Sequence, residues 1–330
     1  LLAGYFYSRL FYLTVKNMDF FFYRDSCVIP KTPRVMTIGA FDGIHLGHQK
    51  LLHKLNELHA KFPESKRTLI TFEPLPHEFF LSEKAPGRIM SLKEKLIFLK
   101  SRDLVDEVII LPFTSQLRDQ APEAFINDFL VNDLNIKGIV IGDDFRFGAK
   151  AAGSFDDLLQ ASEQFNFEVV KEDYYYIGGI RVSSTLVREA LNHSNFNQAE
   201  LFLGRPYEMI SRVVYGNQLA RKFGTATINL PLKRFKPLFT GVYNVETTLC
   251  RTGEVLNGVA NMGYRPTVNG IKPNLEVHLH DVNRNLYGET FSVKFLSKIR
   301  DEQRFENIEA LKAQILADAK ASKDYFNLQK

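Results

Sequence analysis

Two histidines, His45 and His48, carry the clearest chemical signal in the sequence. They follow an apolar run at residues 35–38 and a turn bracketed by Gly39 and Gly43, and leucines at helical spacing come after them. Residues three apart on a helix share a face, so both imidazoles are expected on the first turn. Helix N-terminal amides attract anions, and glycines let a ligand approach the backbone. The pattern predicts a site for a triphosphate. It suits a metal less well, because no third ligand is placed nearby.

An isolated H-x-G-H is also typical of two surface histidines at the start of a helix. The full stretch is longer and more specific. It resembles the G-x-F-D-G-x-H-x-G-H-Q element of the nucleotidyltransferase superfamily that contains FMN adenylyltransferases. The resemblance implies catalysis by the two histidines and ATP binding by four residues of the turn, Gly39, Phe41, Asp42 and Gly43.

Composition limits the class of protein. At 330 residues, two domains are the natural expectation. A net charge of +4 fits anionic small-molecule substrates and does not call for nucleic acid. The two cysteines, Cys27 and Cys250, lie far apart, which indicates a reducing compartment, and we expect a cytoplasmic location. We expect a monomer or a weak homo-oligomer.

The first 17 residues are aromatic and apolar, but Arg9 and Lys16 interrupt them. They are too short to span a bilayer, and they lack the features of a secretory signal. We expect the native start at Met18, with residues 1–17 an upstream translation artefact; a membrane anchor is the minority interpretation. Residues 1–32 are therefore assigned to an N-terminal extension.

Residues 33–200 alternate between strand and helix patterns. Strands are predicted at 67–72, 105–111, 137–141 and 167–171, and helices at 91–100, 122–131, 155–165 and 185–191. This alternation predicts a doubly wound parallel α/β sheet. Loops at the carboxyl ends of such strands line the ligand crevice, which places residues 71–77 and 142–148 there.

The helix at 185–191 opens with hydroxyl residues, and Arg188 shares a face with Ser184. Serines there are also ordinary helix caps. Hydroxyls, free amides and a guanidinium can together clamp a phosphate.

Residues 201–330 have a different pattern. Alternating segments at 209–215, 241–249, 255–260, 275–282 and 290–296 are separated by turn residues, as at 257–258 and 283–285. Regular short strands of this kind predict a small antiparallel β-barrel. A final helix is predicted at 307–319.

Together the motifs resemble bacterial bifunctional FAD synthetases, in the same order and approximate spacing. The resemblance implies an FMN adenylyltransferase domain at 33–200 and a riboflavin kinase domain at 201–330. In the first domain it implies a catalytic role for Arg188 and flavin binding by Phe72 and Pro74. It extends ATP binding to eight further residues: Gly142, Asp144, Phe145, Phe147, Gly148, Ser183, Ser184 and Thr185.

In the second domain the family's P-T-A-N element stands as residues 226–229, with the polar pair Thr227 and Asn229 kept. The resemblance implies that this pair lies near Mg²⁺ and that Glu276 acts as the base on the ribityl hydroxyl. It also implies nucleotide binding by Gly216, Arg221 and Asn261, and flavin binding by Arg205 and Tyr207. Proline and alanine of the element are replaced by Ala226 and Ile228, which loosens the loop and adds bulk.

The main hypothesis is a bifunctional enzyme that uses ATP and Mg²⁺ to convert riboflavin to FMN and FMN to FAD. The alternative is an FMN adenylyltransferase whose second half is only a flavin-binding or regulatory module. A non-enzymatic flavin carrier or nucleic-acid-binding barrel is disfavoured by the modest charge and by the lack of a basic-aromatic run. No nucleic acid or membrane partner is expected.

Overall fold

The computed structural model describes residues 18–23, 29–215, 227–232, 236–267 and 270–329. The chain forms two compact units. We call Thr14–Pro86 with Lys95–Ser183 the α/β unit, and Gly87–Glu94 with Ser184–Lys330 the barrel unit. The boundary predicted near residue 200 stays a prediction, and the packing assigns residues 184–200 to the barrel unit.

The α/β unit is built on a six-stranded parallel sheet in the order β1-β4-β3-β2-β5-β6. Its strands are β1 (Asp19–Phe22), β2 (Arg34–Ile38), β3 (Lys66–Phe72), β4 (Glu107–Leu111), β5 (Ile136–Gly142) and β6 (Glu168–Glu172). The order reverses at β2, which pairs with β3 on one side and β5 on the other. The doubly wound prediction is confirmed, and this reversal is where such sheets bind ligands.

Helices and a hairpin complete this unit. The helices are α1 (Leu46–His59), α2 (Pro76–Leu81), α3 (Leu92–Ser101, which crosses the unit boundary), α4 (Ser115–Asp119), α5 (Pro122–Ala124) and α6 (Phe155–Phe165). The hairpin is β7 (Tyr176–Ile177) with β8 (Ile180–Arg181). Helix α1 buries Leu52, Leu55 and Leu58, the apolar stripe that its spacing predicts.

Three local features differ from the prediction. Strand β1 lies within the supposed N-terminal extension and pairs with β4 at the sheet edge. The loop predicted at residues 71–77 ends early, because α2 begins at Pro76 and proline is well tolerated at the first position of a helix. The helix predicted at 122–131 becomes π-helical over Phe125–Asp133, a change of hydrogen-bond register that apolar spacing does not reveal.

The barrel unit holds six antiparallel strands in the order β10-β13-β12-β11-β14-β9. They are β9 (Glu208–Arg212), β10 (Thr227–Pro231), β11 (Gly241–Leu249), β12 (Glu254–Thr267), β13 (Gly270–Leu279) and β14 (Thr290–Arg300). The two edges approach each other where Val214 bridges to Asn229 and Ser211 Oγ donates to the Pro231 carbonyl at 2.8 Å. The barrel is thus nearly closed, as predicted. In the described part of this unit lie the helices α7 (Ser184–Asn192), α8 (Phe196–Leu203) and α9 (Ile308–Asn327).

The turn predicted at Asn257 and Gly258 is wrong, because both residues lie inside β12. A Cβ on Gly258 would stand 2.4 Å from the carbonyl oxygen of His278 on β13. This glycine therefore permits close approach of two strands, and it does not mark a turn.

Helix α9 extends beyond the predicted end at residue 319 because buried polar residues continue its inner face. Asp318 accepts from Arg300 Nε at 3.0 Å and Arg300 Nη2 at 2.7 Å, which ties the helix to β14. One turn later, Ser322 Oγ lies 2.9 Å from His280 Nε2. Apolar periodicity does not detect contacts of this kind.

Candidate active sites

The turn between β2 and α1 is buried and sharply bent. Gly43 has a φ of 84°, and the non-glycine residues Phe41 and Ile44 have φ values of 46° and 40°. Left-handed backbone at a bulky residue is costly and persists only where the surroundings impose it. Asp42 is also buried, so this turn has a fixed shape.

His45 caps α1, and His48 follows on the first helical turn. The His45 ring nitrogen Nδ1 accepts from the backbone amide of His48 at 3.4 Å. The two rings stack with their centroids 3.7 Å apart. Because Nδ1 is the acceptor, a neutral His45 carries its proton on Nε2. The imidazoles therefore lie side by side at a helix N-terminus, as their spacing predicts.

Neighbouring residues fix this pair of rings. The Phe41 ring lies 4.7 Å from the His48 ring, so the three rings form one row. A Cβ on Gly47 would stand 3.1 Å from the His45 ring. The motif's middle glycine therefore makes room for an imidazole, a role that the sequence argument did not assign. Gly39 likewise faces the Phe41 ring.

The loop after β5 flanks the same switch point. Asp144 is exposed and accepts from Arg181 Nη2 at 2.6 Å, and the Arg181 guanidinium lies 3.4 Å from the centre of the Tyr174 ring. Gly142 precedes this carboxylate in the loop. Arg181 and Tyr174 were not found from the sequence, because a lone arginine in a short hairpin carries no motif of its own.

The two loop phenylalanines are packed against the core. Phe147 is buried, and its ring lies 5.6 Å from that of Phe145. A Cβ on Gly153 would stand 2.6 Å from Phe147, so the chain closes tightly over this ring. Gly148 has a φ of 71°, which lets the loop turn away. Phe147 thus supports the loop from beneath, and the ATP-binding assignments of these residues stay predictions.

An aromatic cluster stands at the ends of β3 and β4. The Phe72 ring lies 5.6 Å from Phe113, and Phe113 in turn lies 5.4 Å from Phe79 and 5.6 Å from Phe80. Phe80 is 59% exposed. Pro74, the other residue assigned to the flavin, follows Phe72 in the chain. Phe79, Phe80 and Phe113 were missed, since no spacing pattern in the sequence shows that Phe113, far along the chain, meets the aromatics on either side of the prolines.

The hydroxyl-rich helix start is divided between the units. Ser183 ends the α/β unit, and α7 begins with Ser184 and Thr185 in the barrel unit. Arg188, one turn further, donates from Nε to the carbonyl of Gly87 at 3.0 Å. The phosphate clamp proposed for these residues stays a prediction.

In the barrel unit, register places the predicted kinase residues in one row across three strands. Asn229 on β10 is directly opposite Glu276 on β13, and Glu276 is opposite Asn261 on β12. Residues opposite each other share a sheet face. The intervening Ile228 and Val277 point to the buried face, so the polar row lies outside the apolar core. Ile228, the bulky replacement in the motif, is thus a core residue.

Side chains next to this row contact its members. Glu276 Oε1 accepts from Asn274 at 3.0 Å, and Thr227 Oγ1 lies 3.4 Å from His278 Nδ1. Burial lowers the pKa of His278 below its ordinary value. Among the described residues, the buried oxygen Oδ1 of Asn229 has no hydrogen-bond partner. A buried acceptor without a partner is costly, so Asn229 is suited to a cation or a donor that arrives with the substrate.

The residues assigned to flavin binding in the barrel unit are already engaged in contacts within the protein. Tyr207 is buried, with its hydroxyl donating to the Ile89 carbonyl at 3.3 Å and its ring 5.9 Å from Phe239. Arg205 donates to the Leu203 carbonyl at 3.2 Å. Their flavin-binding roles stay predictions. Gly216 and Arg221 lie outside the described residues.

Two chemistries are indicated by these folds and sites. A histidine pair on a helix N-terminus at the switch point of a parallel sheet can donate to the phosphate oxygens of a bound nucleotide and stabilise charge that develops on them. A carboxylate beside a polar pair on a nearly closed barrel fits phosphoryl transfer to a hydroxyl. The molecule is therefore a two-unit transferase of phosphate-containing substrates.

Comparison with known proteins identifies the family. Residues 29–186 match the FAD synthetase family and residues 203–326 match the riboflavin kinase family. A bifunctional riboflavin kinase/FMN adenylyltransferase of Haemophilus influenzae is 42% identical over 292 residues, covering 88% of this chain and 94% of the relative. The Escherichia coli (strain K12) protein of the same description is 42% identical over 301 residues, covering 91% of this chain and 95% of the relative. The chain belongs to the bifunctional riboflavin kinase/FMN adenylyltransferase family.

A solved structure from Streptococcus pneumoniae, described as a macrolide-efflux protein, has the same fold. Its TM-score is 0.73 at 27% identity, and the match covers 93% of this chain and 99% of that one. Among the described residues of the present chain, no helix combines the length and apolarity that crossing a bilayer requires.

Proposed function

We propose that this chain phosphorylates riboflavin to FMN with one ATP and adenylylates FMN to FAD with a second ATP, releasing pyrophosphate. One observation carries the proposal: each matched region contains its own set of candidate catalytic residues. The stacked pair His45 and His48 lies in the FAD synthetase region, and the row through Glu276 lies in the riboflavin kinase region.

In adenylyl transfer, a phosphate oxygen of FMN attacks the α-phosphorus of ATP, and the bond to pyrophosphate breaks. Neither proton abstraction nor a covalent enzyme intermediate is needed, so the protein contributes position and charge stabilisation. His45 donates from Nε2 and His48 from its ring to the phosphate oxygens on which charge develops. The α1 amides add to the same field.

The flavin of FMN is assigned to the aromatic cluster around Phe72. A planar ring system of that size needs apolar, aromatic surface, which Phe72, Phe79, Phe80 and Phe113 supply at one edge of the sheet.

In the kinase reaction, the ribityl hydroxyl attacks the γ-phosphorus of ATP, and ADP leaves. Glu276 accepts the hydroxyl proton, and Asn274 orients its carboxylate through Oε1. The oxygen donors Thr227 and Asn229 fit a hard cation, and this assignment is supported by the buried Asn229 Oδ1, which has no hydrogen-bond partner in the described part of the chain. Bound Mg²⁺ would supply charge neutralisation of the phosphates.

The alternative of a silent kinase half is disfavoured by the match of residues 203–326 and by the bifunctional relatives. The replaced motif residue Ile228 packs into the core, so it is accommodated without displacing the polar pair. A monomeric or weakly oligomeric state and a cytoplasmic location stay predictions.

The decisive experiment incubates the purified chain with riboflavin, ATP and Mg²⁺ and resolves riboflavin, FMN and FAD by chromatography. A parallel reaction starts from FMN. FAD in both reactions supports two active halves. FAD from FMN alone supports the one-activity alternative, and no product in either contradicts both enzyme hypotheses. Omitting Mg²⁺ and adding a chelator tests the metal assignment.

A further inference from the structure

Lys95 is a buried lysine at the edge of the parallel sheet where β2 and β3 end. The residue is only 2% exposed. Its Nζ donates to the carbonyl oxygen of Ala40 at 2.6 Å and to Thr71 Oγ1 at 2.9 Å. Thr71 Oγ1 donates to the same carbonyl at 3.2 Å. The three groups are hydrogen-bonded to one another and join α3, the end of β3 and the turn after β2.

This set holds the peptide that precedes the strained part of the turn. The carbonyl of Ala40 is followed directly by Phe41, whose φ of 46° is unfavourable for an aromatic residue. Strain of this type persists where neighbouring groups fix the backbone, and it is concentrated at functional sites. Burying an ammonium group is costly unless it is hydrogen-bonded. A buried lysine that donates to this carbonyl therefore indicates that the position of the carbonyl is important.

The fixed turn leads by direct contact to the proposed catalytic groups. The Phe41 ring packs 4.7 Å from the His48 ring, which stacks 3.7 Å from the His45 ring. A shift of the Ala40 carbonyl therefore changes the placement of Phe41 and, through it, of both imidazoles. Lys95 stands at the start of this chain of contacts.

We propose that Lys95 is a positioning residue for adenylyl transfer, which it supports by fixing the Ala40 carbonyl and hence the Phe41–His48–His45 row. The inference rests on the proposed adenylyltransferase function. Lys95 acts through the turn, so its loss reduces the rate of the chemical step more than the binding of FMN or ATP.

The test measures Lys95→Met in the full chain, by steady-state formation of FAD from FMN and of FMN from riboflavin. Misplacing catalytic groups by about 1 Å can cost about 100-fold in rate, and we expect kcat for FAD formation to fall at least about tenfold. The KM values for FMN and ATP change less than about threefold, because ground-state binding is retained. FMN formation stays within about twofold, since Lys95 belongs to the α/β unit. Lys95→Arg restores part of kcat because it keeps a charged donor.

Matched controls lie on the same helix. Lys93→Met makes the same chemical change at an exposed position and leaves FAD formation unchanged. Glu94→Gln changes a neighbouring buried residue, whose carboxylate accepts from the Ile210 amide at 2.8 Å in the barrel unit. This variant should also leave FAD formation unchanged. If Lys95→Met does not fold, Thr71→Val removes one member of the set while keeping the lysine, with an expected fall of about threefold in the same kcat.

The inference is overturned if Lys95→Met forms FAD within twofold of the unaltered chain or, where that variant does not fold, if Thr71→Val does so. A raised KM for FMN or ATP at unchanged kcat would also overturn it. Equal losses of FAD formation and FMN formation would overturn it as well. An unaltered chain that forms no FAD from FMN contradicts the proposed function itself, and this inference with it.

Discussion

The two candidate sites are assembled in opposite ways. In the α/β unit, the catalytic candidates are neighbours in sequence, because one turn and one helix start place both histidines. In the barrel unit, Asn229, Glu276 and Asn261 come from three strands and meet only through antiparallel register. A local site is visible as a motif, whereas a site set by register requires correct strand pairing.

This difference predicts how each site fails. The histidine row depends on short-range packing by Phe41 and Gly47, so changes there act on one activity. The polar row depends on the whole barrel, since a shift of one residue in register would turn Glu276 to the other face. Changes in barrel packing are therefore expected to lower stability and kinase activity together.

The largest effect is expected for Glu276→Gln. Removing the proposed base while keeping its shape should lower FMN formation by about 100- to 10,000-fold, because general-base catalysis contributes that much. FAD formation from FMN should remain within about twofold in the same preparation. Glu254→Gln, at a half-buried position on β12 whose carboxylate pairs with Arg284, is the control in the same unit and should leave both rates unchanged. Retained FMN formation in Glu276→Gln would remove this carboxylate from the mechanism.

His48→Ala should produce the reverse pattern. Loss of one preorganised donor to a phosphate oxygen should lower FAD formation by about 100- to 1,000-fold. FMN formation from riboflavin should be unaffected, because the histidine belongs to the other unit. Both reactions are measured by chromatography of the flavins. Equal losses of both activities would contradict separate sites.

Much of the fold could be predicted from the sequence where apolar spacing determines it. The predicted ranges 155–165 and 241–249 agree with Phe155–Phe165 and Gly241–Leu249. The misses have physical causes. Pro76 indicated a loop but begins a helix, and the Asn257-Gly258 pair indicated a turn but lies in a continuous strand. In each case a residue type that is common in turns has another structural role, at the first position of a helix or at a close approach of two strands.

The placement of candidate site residues was predictable where they belong to one contiguous motif. It was not predictable where tertiary contacts bring distant residues together. His45 and His48 were placed correctly on a helix start. Arg181 and Lys95 were not singled out, because each acts through partners distant in sequence, Asp144 for the first and Ala40 for the second. Single charged residues give no spacing pattern, so only the folded chain shows their role.

Gly258→Ala tests the dependence of the barrel on close strand approach. Its Cβ would stand 2.4 Å from a backbone carbonyl, which cannot move as a flexible side chain can. We expect a loss of about 1–3 kcal/mol in the free energy of unfolding, the usual cost of overpacking. Urea denaturation followed by circular dichroism measures it. Gly178→Ala is the comparison, because a Cβ at that position would meet open space. Its φ of 55° gives this variant a backbone cost, which we expect to be smaller than the cost of the clash at Gly258. A Gly258→Ala protein as stable as the unaltered chain would contradict the close approach.

The smallest effect concerns pH and the attachment of α9 to the barrel. Burial, with the nearby His278 and Lys323, lowers the pKa of His280 from 6.5 to about 4. The unfolded chain therefore binds the proton more tightly, and stability present above pH 6.5 is lost as pH falls towards 4. The loss should be about 1–2 kcal/mol, since a half-buried ring is partly screened by water.

His280→Asn should flatten this part of the stability profile between pH 6.5 and 4, as measured by urea unfolding at each pH. The substitution keeps a polar group near Ser322, which His280 contacts at 2.9 Å, but it removes the titrating ring. His193→Asn makes the same substitution at an exposed position and is measured as the comparison. If the His280 variant and the unaltered chain lose stability equally over this range, the acid sensitivity arises elsewhere.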